Sequence, residues 1–298
     1  MGFDAMTLRM PHDWLQPDWP APAHVHALCT TRNGGVSAPP WDSFNLGRYV
    51  GDAPEAVAAN WAALQAAVSA RGQPVRPVYL RQVHGTALAA LQADTPDGGD
   101  ADACATAVPG VACTVMAADC LPVLFTNRAG TQVAAAHAGW RGLAAGVLEA
   151  AVQSFQAESL VDKAHQATTN IAHQAPQELL AWMGPCIGPQ AFEVGPEVRE
   201  AFCAHDLRAA ACFKPHGRAG KLLADLAGLA RQRLRAMGVD AIHGNDSSPA
   251  WCTVARWRRC PASREVSSSA SVKPMMAFIG VRISWLMLAR KVLRAVAA

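Results

Sequence analysis

Several features of secreted and membrane proteins are missing from this sequence. No CxxC pair occurs among its nine cysteines, and the first 19 residues contain neither the basic stretch nor the apolar core of a signal peptide. The apolar segment 274–298 is interrupted by four basic residues, which a membrane-spanning helix of about 20 residues rarely tolerates. We therefore expect a cytoplasmic protein with reduced thiols, no signal peptide and no membrane span.

Charged residues are also scarce, and the basic ones are unevenly distributed. Asp, Glu, Lys and Arg together make up 16% of the chain, and the formal net charge is +3. Nine of the 26 Lys and Arg residues follow Cys252, so the chain before that point holds 17 basic and 22 acidic residues. Proteins that bind nucleic acid usually carry a basic stripe on their folded body. We expect no nucleic-acid partner; the partners should be small-molecule substrates, and the protein a monomer or a homodimer.

What the sequence does contain is a series of helical and strand-like segments with enough apolar residues, 51% of 298, to bury a substantial core. Periodicity and turn residues predict strands at 24–31 and 179–184, five short strands between 77 and 138, a polar surface insertion at 158–176, and helices at 54–72, 141–155, 194–205 and 221–238. We predict an α/β (α+β) fold: a single domain with mixed β-sheets flanked by helices, in a layered architecture like that of cysteine hydrolases.

Three residues of types that bind metals stand at the ends of predicted strands: His84, Cys120 and His137. Two imidazoles and one thiolate suit Zn²⁺, and a site with three protein ligands keeps a fourth position open for water or substrate, as catalytic zinc sites do. The residues are 36 and 17 positions apart, a spacing that does not identify a site by itself. Each one alone could also be an ordinary buried cysteine or structural histidine.

Residues around these three suggest how a substrate could be held. In HAGWRG, at 137–142, Gly139 and Gly142 permit a tight turn, and the free N–H groups of the helix that follows favour an anion. Arg141 could add a charge-assisted contact to phosphate, or be an ordinary solvated residue. Asp119 could orient a ligand imidazole or simply occupy a turn. Arg32, beside two glycines, could reach an anionic ligand or lie on the surface.

Five segments carry a resemblance to a known family. In their order and separations they are similar to the multicopper polyphenol oxidase or laccase-domain family, whose members are regarded as purine nucleoside phosphorylases; the segments are TTRNGGVS, LRQVHG, ADCLPVLF, HAGWRG and GPCIGPQAFEVG. The resemblance covers roughly residues 24–254. It implies a zinc site of two histidines and one cysteine, which falls on His84, Cys120 and His137.

The resemblance also implies an activity. Family members cleave adenosine, inosine and methylthioadenosine with phosphate, and deaminate adenosine as a further reaction. A bacterial member has been linked to the editing of peptidoglycan precursors. On this basis we expect His84, Cys120 and His137 to be catalytic as well as metal-binding, and we expect the substrate to contact Arg32, Asn45, Gln82, Asp119 and Arg141.

The sequence departs from the family pattern after WCTV, at 251–254. Family members are expected to continue with an aromatic-Ser-Tyr-Arg-Arg segment and a Thr-Gly-Arg stretch, whereas this chain continues with a segment rich in Arg and Ser. We therefore divide the chain into an N-terminal extension at 1–23, a laccase-like phosphorylase domain at 24–254 and a divergent C-terminal tail at 255–298. If the usual tail supplies an arginine or a sheet edge, activity and stability would both suffer.

Three other functions fit the same residues. A copper polyphenol oxidase would bind copper in place of zinc, but such enzymes draw on many histidines in His-x-His pairs, and this chain has ten histidines and one such pair, His24 and His26. A cysteine hydrolase, acting for example on cell-wall precursors, would use Cys120 as the nucleophile and His84 or His137 as the base. A binding protein without catalytic activity is the third, suggested by the altered tail.

Overall fold

The computed structural model describes residues 13–48, 50–69, 74–156, 178–217, 220–253 and 275–281, the last range for its backbone only. The helices are α1 (Pro54–Ser69), α2 (Trp140–Ala145), α3 (Val147–Gln153), α4 (Pro196–Cys203) and α5 (Leu226–Ala236), with 3-10 turns at Leu207–Cys212 and Pro249–Trp251. The strands are β1 (Val25–Cys29), β2 (Arg76–Val78), β3 (Leu80–Arg81), β4 (Leu88–Ala90), β5 (Gly99–Asp100), β6 (Ala103–Thr106), β7 (Val111–Ala117), β8 (Leu121–Asn127), β9 (Val133–Ala138), β10 (Leu179–Met183), β11 (Glu193–Val194), β12 (Phe213–Pro215), β13 (Leu222–Ala224), β14 (Ala241–Gly244) and β15 (Met275–Val281).

These strands form two larger and two smaller sheets. The six-stranded sheet has the order β14-β10-β8-β9-β6-β4, and the four-stranded sheet has the order β1-β15-β7-β2. Both are mixed: β8 pairs antiparallel with β9 and β10, whereas β14 pairs parallel with β10, and β2 parallel with β7. The predicted single α/β domain with mixed sheets and flanking helices is confirmed. Its likeness to cysteine hydrolases stays a prediction.

Strands β8 and β9 lie at the centre of the molecule, with every residue of both strands buried. One side of β9 packs against helix α3, where Ala134 and Ala136 belong to the same cluster as Leu148. The other side faces the four-stranded sheet, where Ala135 shares a cluster with Val115. The alanines of β9 are small enough for layers to approach from both sides, and strands covered on both faces read as continuous apolar runs.

Two predicted helices have different boundaries in the structure. The helix expected at 141–155 is two helices, because Gly146 adopts a left-handed conformation (φ 111°) that ends α2 and begins α3. The helix expected at 221–238 begins only after Asp225, whose carboxylate accepts a hydrogen bond from the Gly228 N–H. Helix 54–72 is observed to Ser69, and the insertion at 158–176 lies outside the described residues. Within the described ranges, no helix is both long and apolar enough to cross a membrane.

Contacts cross both of the predicted domain boundaries. Trp14, from the expected N-terminal extension, is buried with its ring 5.4 Å from that of Phe44, and Leu15 pairs with Cys29 of β1 through two backbone hydrogen bonds. Strand β15, from the expected tail, pairs with β1 on one side and β7 on the other. Parts of both flanking segments therefore pack as part of the described fold, and the exact limits of the domain stay a prediction.

Candidate metal centre

The three residues singled out at strand ends come together in the folded chain. One donor atom from each of His84, Cys120 and His137 lies within 4.8 Å of the others. The Nε2 atom of His84 is 3.8 Å from the Sγ atom of Cys120, and the two imidazole rings are 4.9 Å apart at an angle of 72°. Ligands of a tetrahedral zinc ion at ordinary bond lengths would be about 3.4–3.6 Å apart. A closure of about 1 Å would therefore bring this donor set to the spacing that zinc requires.

Strand pairing explains why residues 120 and 137 meet. Strands β8 and β9 are antiparallel neighbours, and Leu121 lies opposite Ala138. Cys120, directly before β8, is therefore brought beside His137, near the end of β9. His84 reaches the same point from the loop after β3, where its backbone adopts a left-handed conformation (φ 60°). His84 is exposed, Cys120 is half-buried and His137 is buried, so solvent reaches the three-residue group from the side of His84.

A carboxylate that sequence reasoning missed, Asp102, holds two of these residues. Its oxygens accept hydrogen bonds from the backbone N–H groups of Val83 (3.1 Å), His84 (2.9 Å) and Gly85 (2.7 Å). The Nδ1 atom of His137 lies 2.9 Å from Asp102 Oδ1. Asp102 precedes the buried strand β6 and follows a loop rich in aspartates, and no feature of the sequence distinguishes it from Asp94, Asp97 or Asp100.

The surroundings shift the pKa values of these groups. Burial, followed by the nearby His137, lowers the pKa of His84, which keeps its imidazole neutral and available as a ligand at neutral pH. Burial would raise the pKa of Asp102, but the hydrogen bonds from His137, Gly85 and Val83 outweigh it and hold that pKa below its usual value. The carboxyl group is therefore ionised, as an acceptor of four hydrogen bonds must be.

The pKa of the Cys120 thiol is raised, whereas the pKa of a nucleophilic cysteine is usually lowered. Burial, with smaller contributions from Asp119 and Asp102, raises its pKa to about 12. Reactive cysteines are usually activated by a lowered pKa next to a positive group. A bound cation would supply the positive charge that the thiolate lacks here. The chemistry of the donor set thus fits a metal ligand better than a free nucleophile.

Two glycines, Gly139 and Gly142, allow the backbone to pack closely against the candidate metal ligands and the loop that carries His84. A Cβ on Gly139 would lie 2.8 Å from Cδ2 of His84 and 2.9 Å from Sγ of Cys120, and one on Gly142 would lie 2.7 Å from the carbonyl oxygen of Gly85. Gly139 has φ −67° and ψ 156°, a conformation open to any residue. The predicted reason for this glycine was a tight turn; the structure shows that it is needed for close approach to two of the candidate ligands.

The hydrogen bond to an imidazole that the sequence suggested for Asp119 is made by Asp102 instead. The Asp119 carboxylate lies 3.3 Å from the hydroxyl of Thr253, and its backbone carbonyl accepts a hydrogen bond from Ile187 (2.9 Å). Burial raises the pKa of Asp119. The loop that contains Ile187, within GPCIGPQAFEVG, therefore packs directly beside the candidate metal centre.

Arg141 lies at the start of α2, next to the metal centre. Its guanidinium stacks on the ring of Trp140 at 4.4 Å and is exposed to solvent. Its charge is close enough to be one of the groups that lower the pKa of His84, after burial and His137. Helix α2 is only six residues long, so the positive charge at this edge comes chiefly from the arginine.

The other expected substrate contacts are engaged within the protein. Arg32 is 13% exposed and donates to the side chain and carbonyl of Asp42, with its closest contact at 2.6 Å. Asn45 is buried and donates to Asp52 at 2.8 Å. Gln82 both donates to and accepts from the backbone of Met116, at 2.7 Å each. Their assignment as substrate contacts stays a prediction that rests on the family resemblance.

The chain is similar to proteins of one known family over most of its length. Residues 26–260 match the family described as multi-copper polyphenol oxidoreductase laccase, a range that contains His84, Cys120 and His137. A Pseudomonas aeruginosa protein named purine nucleoside phosphorylase is 51% identical over 231 residues, covering 78% of this chain and 86% of its own. The Escherichia coli protein named purine nucleoside phosphorylase YfiH is 51% identical over 232 residues, with the same shares.

Solved structures show the same fold. A crystal structure from Neisseria meningitidis superposes with a TM-score of 0.74 at 40% identity, covering 91% of this chain and 100% of that one. The crystal structure of YlmD from Geobacillus stearothermophilus also gives a TM-score of 0.74, at 28% identity, covering 91% of this chain and 96% of that one. The likeness therefore extends over most of the chain and nearly all of each neighbour.

Proposed function

Because the chain belongs to the multi-copper polyphenol oxidoreductase laccase family and half-identical relatives are named purine nucleoside phosphorylases, we propose that it is a zinc-dependent purine nucleoside phosphorylase. In this reaction phosphate cleaves the bond between the ribose and the purine, which gives the free base and ribose 1-phosphate. The observation that carries the proposal is the convergence of His84, Cys120 and His137 at a point that opens to solvent. Zinc is the metal that this mixture of nitrogen and sulfur donors suits best.

The protein's own groups would divide the work in a definite way. His84, Cys120 and His137 would hold the ion, which supplies Lewis-acid chemistry by polarising an oxygen of a bound reactant. Arg141, exposed beside them, would bind the phosphate through charge-assisted hydrogen bonds. Because its guanidinium already stacks on Trp140, it would lose less conformational freedom on binding. Phosphate would thus be held next to the ribose carbon that it attacks, which is the main requirement of phosphorolysis.

The proposed substrates are adenosine, inosine and methylthioadenosine. Adenosine would also be deaminated: water would attack C6 of the purine and ammonia would leave, whereas in phosphorolysis phosphate attacks C1′ of the ribose and the purine leaves. In this proposal one metal centre, open to solvent beside His84, would serve both reactions. Deamination differs in needing no phosphate, which gives a direct way to separate the two activities.

Copper is the alternative that the family's description favours, since imidazole and thiolate also bind that metal. Within the described part of the chain, however, His84, Cys120 and His137 form the one group of three or more residues placed to bind a metal. A multicopper enzyme needs further centres. Metal analysis separates the two: about one zinc per chain supports the phosphorylase, and several coppers would support the oxidase.

A cysteine hydrolase, the other alternative, predicts a different response to thiol reagents. If Cys120 is a nucleophile, alkylation should abolish activity while zinc stays bound. If Cys120 is a ligand, bound zinc should protect it from alkylation, and removal of the metal should expose it. Cys203, half-buried on α4 and distant in sequence from the metal centre, serves as the reference thiol in the same sample.

The decisive experiment is to incubate the purified protein with adenosine, with and without phosphate, and to separate adenine from inosine. Adenine that forms only with phosphate identifies a phosphorylase, and inosine formed without phosphate identifies the deaminase. We expect Cys120→Ala to lose both bound zinc and turnover, and the matched control Cys203→Ala to keep both. A Cys120→Ala protein that stays active and zinc-replete would refute the assignment.

A further inference from the structure

We propose that Asp102 is a positioning residue that fixes His137 in the tautomer whose Nε2 atom can bind a metal, and that it holds the His84 loop with the same carboxylate. The inference rests on the metal centre of the proposed function and adds the device that prepares it. In this role Asp102 would bind neither the ion nor a substrate and would act through the two histidines.

The first half of the argument concerns the loop that carries His84. Three successive backbone N–H groups, those of Val83, His84 and Gly85, point at the Asp102 carboxylate at 3.1, 2.9 and 2.7 Å. Successive N–H groups arranged in this way form a concave anion-binding site, and here the anion is a side chain of the protein itself. His84 has the left-handed φ that non-glycine residues avoid, and these hydrogen bonds offset the cost of that conformation.

The second half concerns the ring of His137. Its Nδ1 atom lies 2.9 Å from Asp102 Oδ1, and an ionised carboxylate can only accept hydrogen bonds. An imidazole that donates to this carboxylate and binds a metal through its other nitrogen must therefore carry its proton on Nδ1, which leaves the lone pair on Nε2 for the metal. The backbone is fixed by the same residue, because the His137 N–H donates to the Asp102 carbonyl at 2.7 Å.

The two halves share one atom, which links the two histidines. Asp102 Oδ1 accepts from both the His84 N–H and His137 Nδ1. The Asp102 side chain is fully buried, with 0% of it exposed, so solvent cannot readily replace a lost hydrogen bond. Two of the three candidate ligands are thus held in place by a single buried carboxylate.

Replacing Asp102 by Asn keeps the shape of the side chain but changes its hydrogen bonding. An amide has one acceptor oxygen, which can serve the Val83 and Gly85 N–H groups. Its NH₂ group then faces both His137 Nδ1 and the His84 N–H, which loses its acceptor. The ring would have to accept at Nδ1 and carry its proton on Nε2, the atom that should bind the metal. We expect Asp102→Asn to weaken zinc binding 10- to 100-fold, the usual effect of losing a carboxylate that orients a metal-binding histidine.

The tautomer can be read directly by long-range ¹H–¹⁵N NMR of the imidazole rings in the metal-free protein, at a pH where they are neutral. The His137 signals are identified by their loss in His137→Gln. In the unaltered chain we expect the Nδ1–H form, and in Asp102→Asn the Nε2–H form with weaker zinc binding. A purely structural role for Asp102 would not change the tautomer. The matched control is Asp100→Asn, an exposed residue paired with Arg81, which should change neither measurement.

The outcomes separate this inference from the proposed function. An Nε2–H form of His137 in the unaltered metal-free protein would overturn the inference, even if Asp102→Asn fails to fold and cannot be studied. Unchanged zinc affinity in a folded Asp102→Asn protein would overturn it as well, while phosphorolysis by the unaltered enzyme could still stand. Conversely, tight zinc binding with the expected tautomers but without phosphorolysis would leave the inference intact and remove the proposed activity.

Discussion

Gly139 shows how closely the candidate ligands are packed. A methyl group at this position would lie within 3 Å of both His84 and Cys120, although the backbone conformation suits alanine. The site therefore requires glycine for space, not for backbone freedom. The backbone at residue 139 lies so close to the candidate donor atoms that no side chain larger than hydrogen fits there without displacing them.

We expect Gly139→Ala to lower zinc affinity at least tenfold without unfolding the protein, because the added methyl group separates His84 from Cys120. Competition with a chromogenic chelator measures the affinity, and circular dichroism checks the fold. Gly99→Ala is the matched control, since a Cβ there meets nothing within 4 Å. Equal zinc affinity in Gly139→Ala and Gly99→Ala would contradict this explanation of the glycine.

Single residues also show what the sequence could and could not predict. His84, Cys120 and His137 were predicted because metal-binding residue types at strand ends, in recognisable motifs, are unusual. Asp102 was not, because its role depends on burial and on three N–H groups that only the folded loop brings together. The role of Asp102 thus depends on groups that are brought together only by folding, and the residues next to it in the sequence do not indicate it.

At the scale of elements, helix α1 stabilises the loop that precedes it through one buried side chain. The Asn60 amide donates to the Ser37 hydroxyl (2.9 Å) and to the carbonyls of Ser43 (3.1 Å) and Asn45 (2.9 Å), and its oxygen accepts from the Val36 N–H (2.9 Å). The loop at 30–48 contains no strand or helix, so the Asn60 side chain supplies hydrogen bonds that its backbone groups would otherwise make within regular secondary structure.

We expect Asn60→Ala to lower the free energy of unfolding by about 2–4 kcal/mol, because four hydrogen bonds of one buried side chain are lost together. Urea denaturation followed by fluorescence measures the change. The exposed Asn33, bonded to Asp13 at 2.8 Å, is the control, and Asn33→Ala should cost below about 1 kcal/mol. Similar losses for the two variants would show that burial of the Asn60 network has no special weight.

Element boundaries were predicted less well than element types. The helix at 141–155 was expected to be continuous because its apolar periodicity runs through Gly146, and periodicity does not report a single left-handed residue. The strand at Leu222–Ala224 was assigned to a helix because its leucines fit either structure. Its pairing with the neighbouring strand β12 and with β11, about 30 positions earlier in the chain, decided the outcome.

At the scale of the whole molecule, β15 completes the four-stranded sheet. It lies between β1 and β7, so its backbone pairs on both sides. The segment that contains it was expected from sequence to be a divergent tail, because it lacks the family's terminal motifs. Strand order is set by pairing between distant parts of the chain, which local patterns do not encode. The single α/β domain with mixed sheets, in contrast, was predicted correctly, because periodicity and turn residues indicate the type of most elements along the chain.

We expect a chain that ends at Thr253 to aggregate or to lose cooperative unfolding, because removal of β15 leaves β1 and β7 with unpaired edges. Thermal unfolding and size-exclusion chromatography measure both effects. A chain that ends at Val281 keeps every described strand and is the control. If the shorter chain unfolds at the same temperature as the control and stays monodisperse, β15 does not have the structural role that its pairing indicates.

The central claim is that His84, Cys120 and His137 hold one zinc ion together. X-ray absorption spectroscopy at the zinc edge of the loaded protein tests it most directly. The account predicts one sulfur at about 2.3 Å and two imidazole nitrogens at about 2.0–2.1 Å in the unaltered protein, whereas Cys120→Ala should retain too little zinc to give this signal. A zinc shell without sulfur in the unaltered protein, or one that Cys120→Ala does not change, would contradict it.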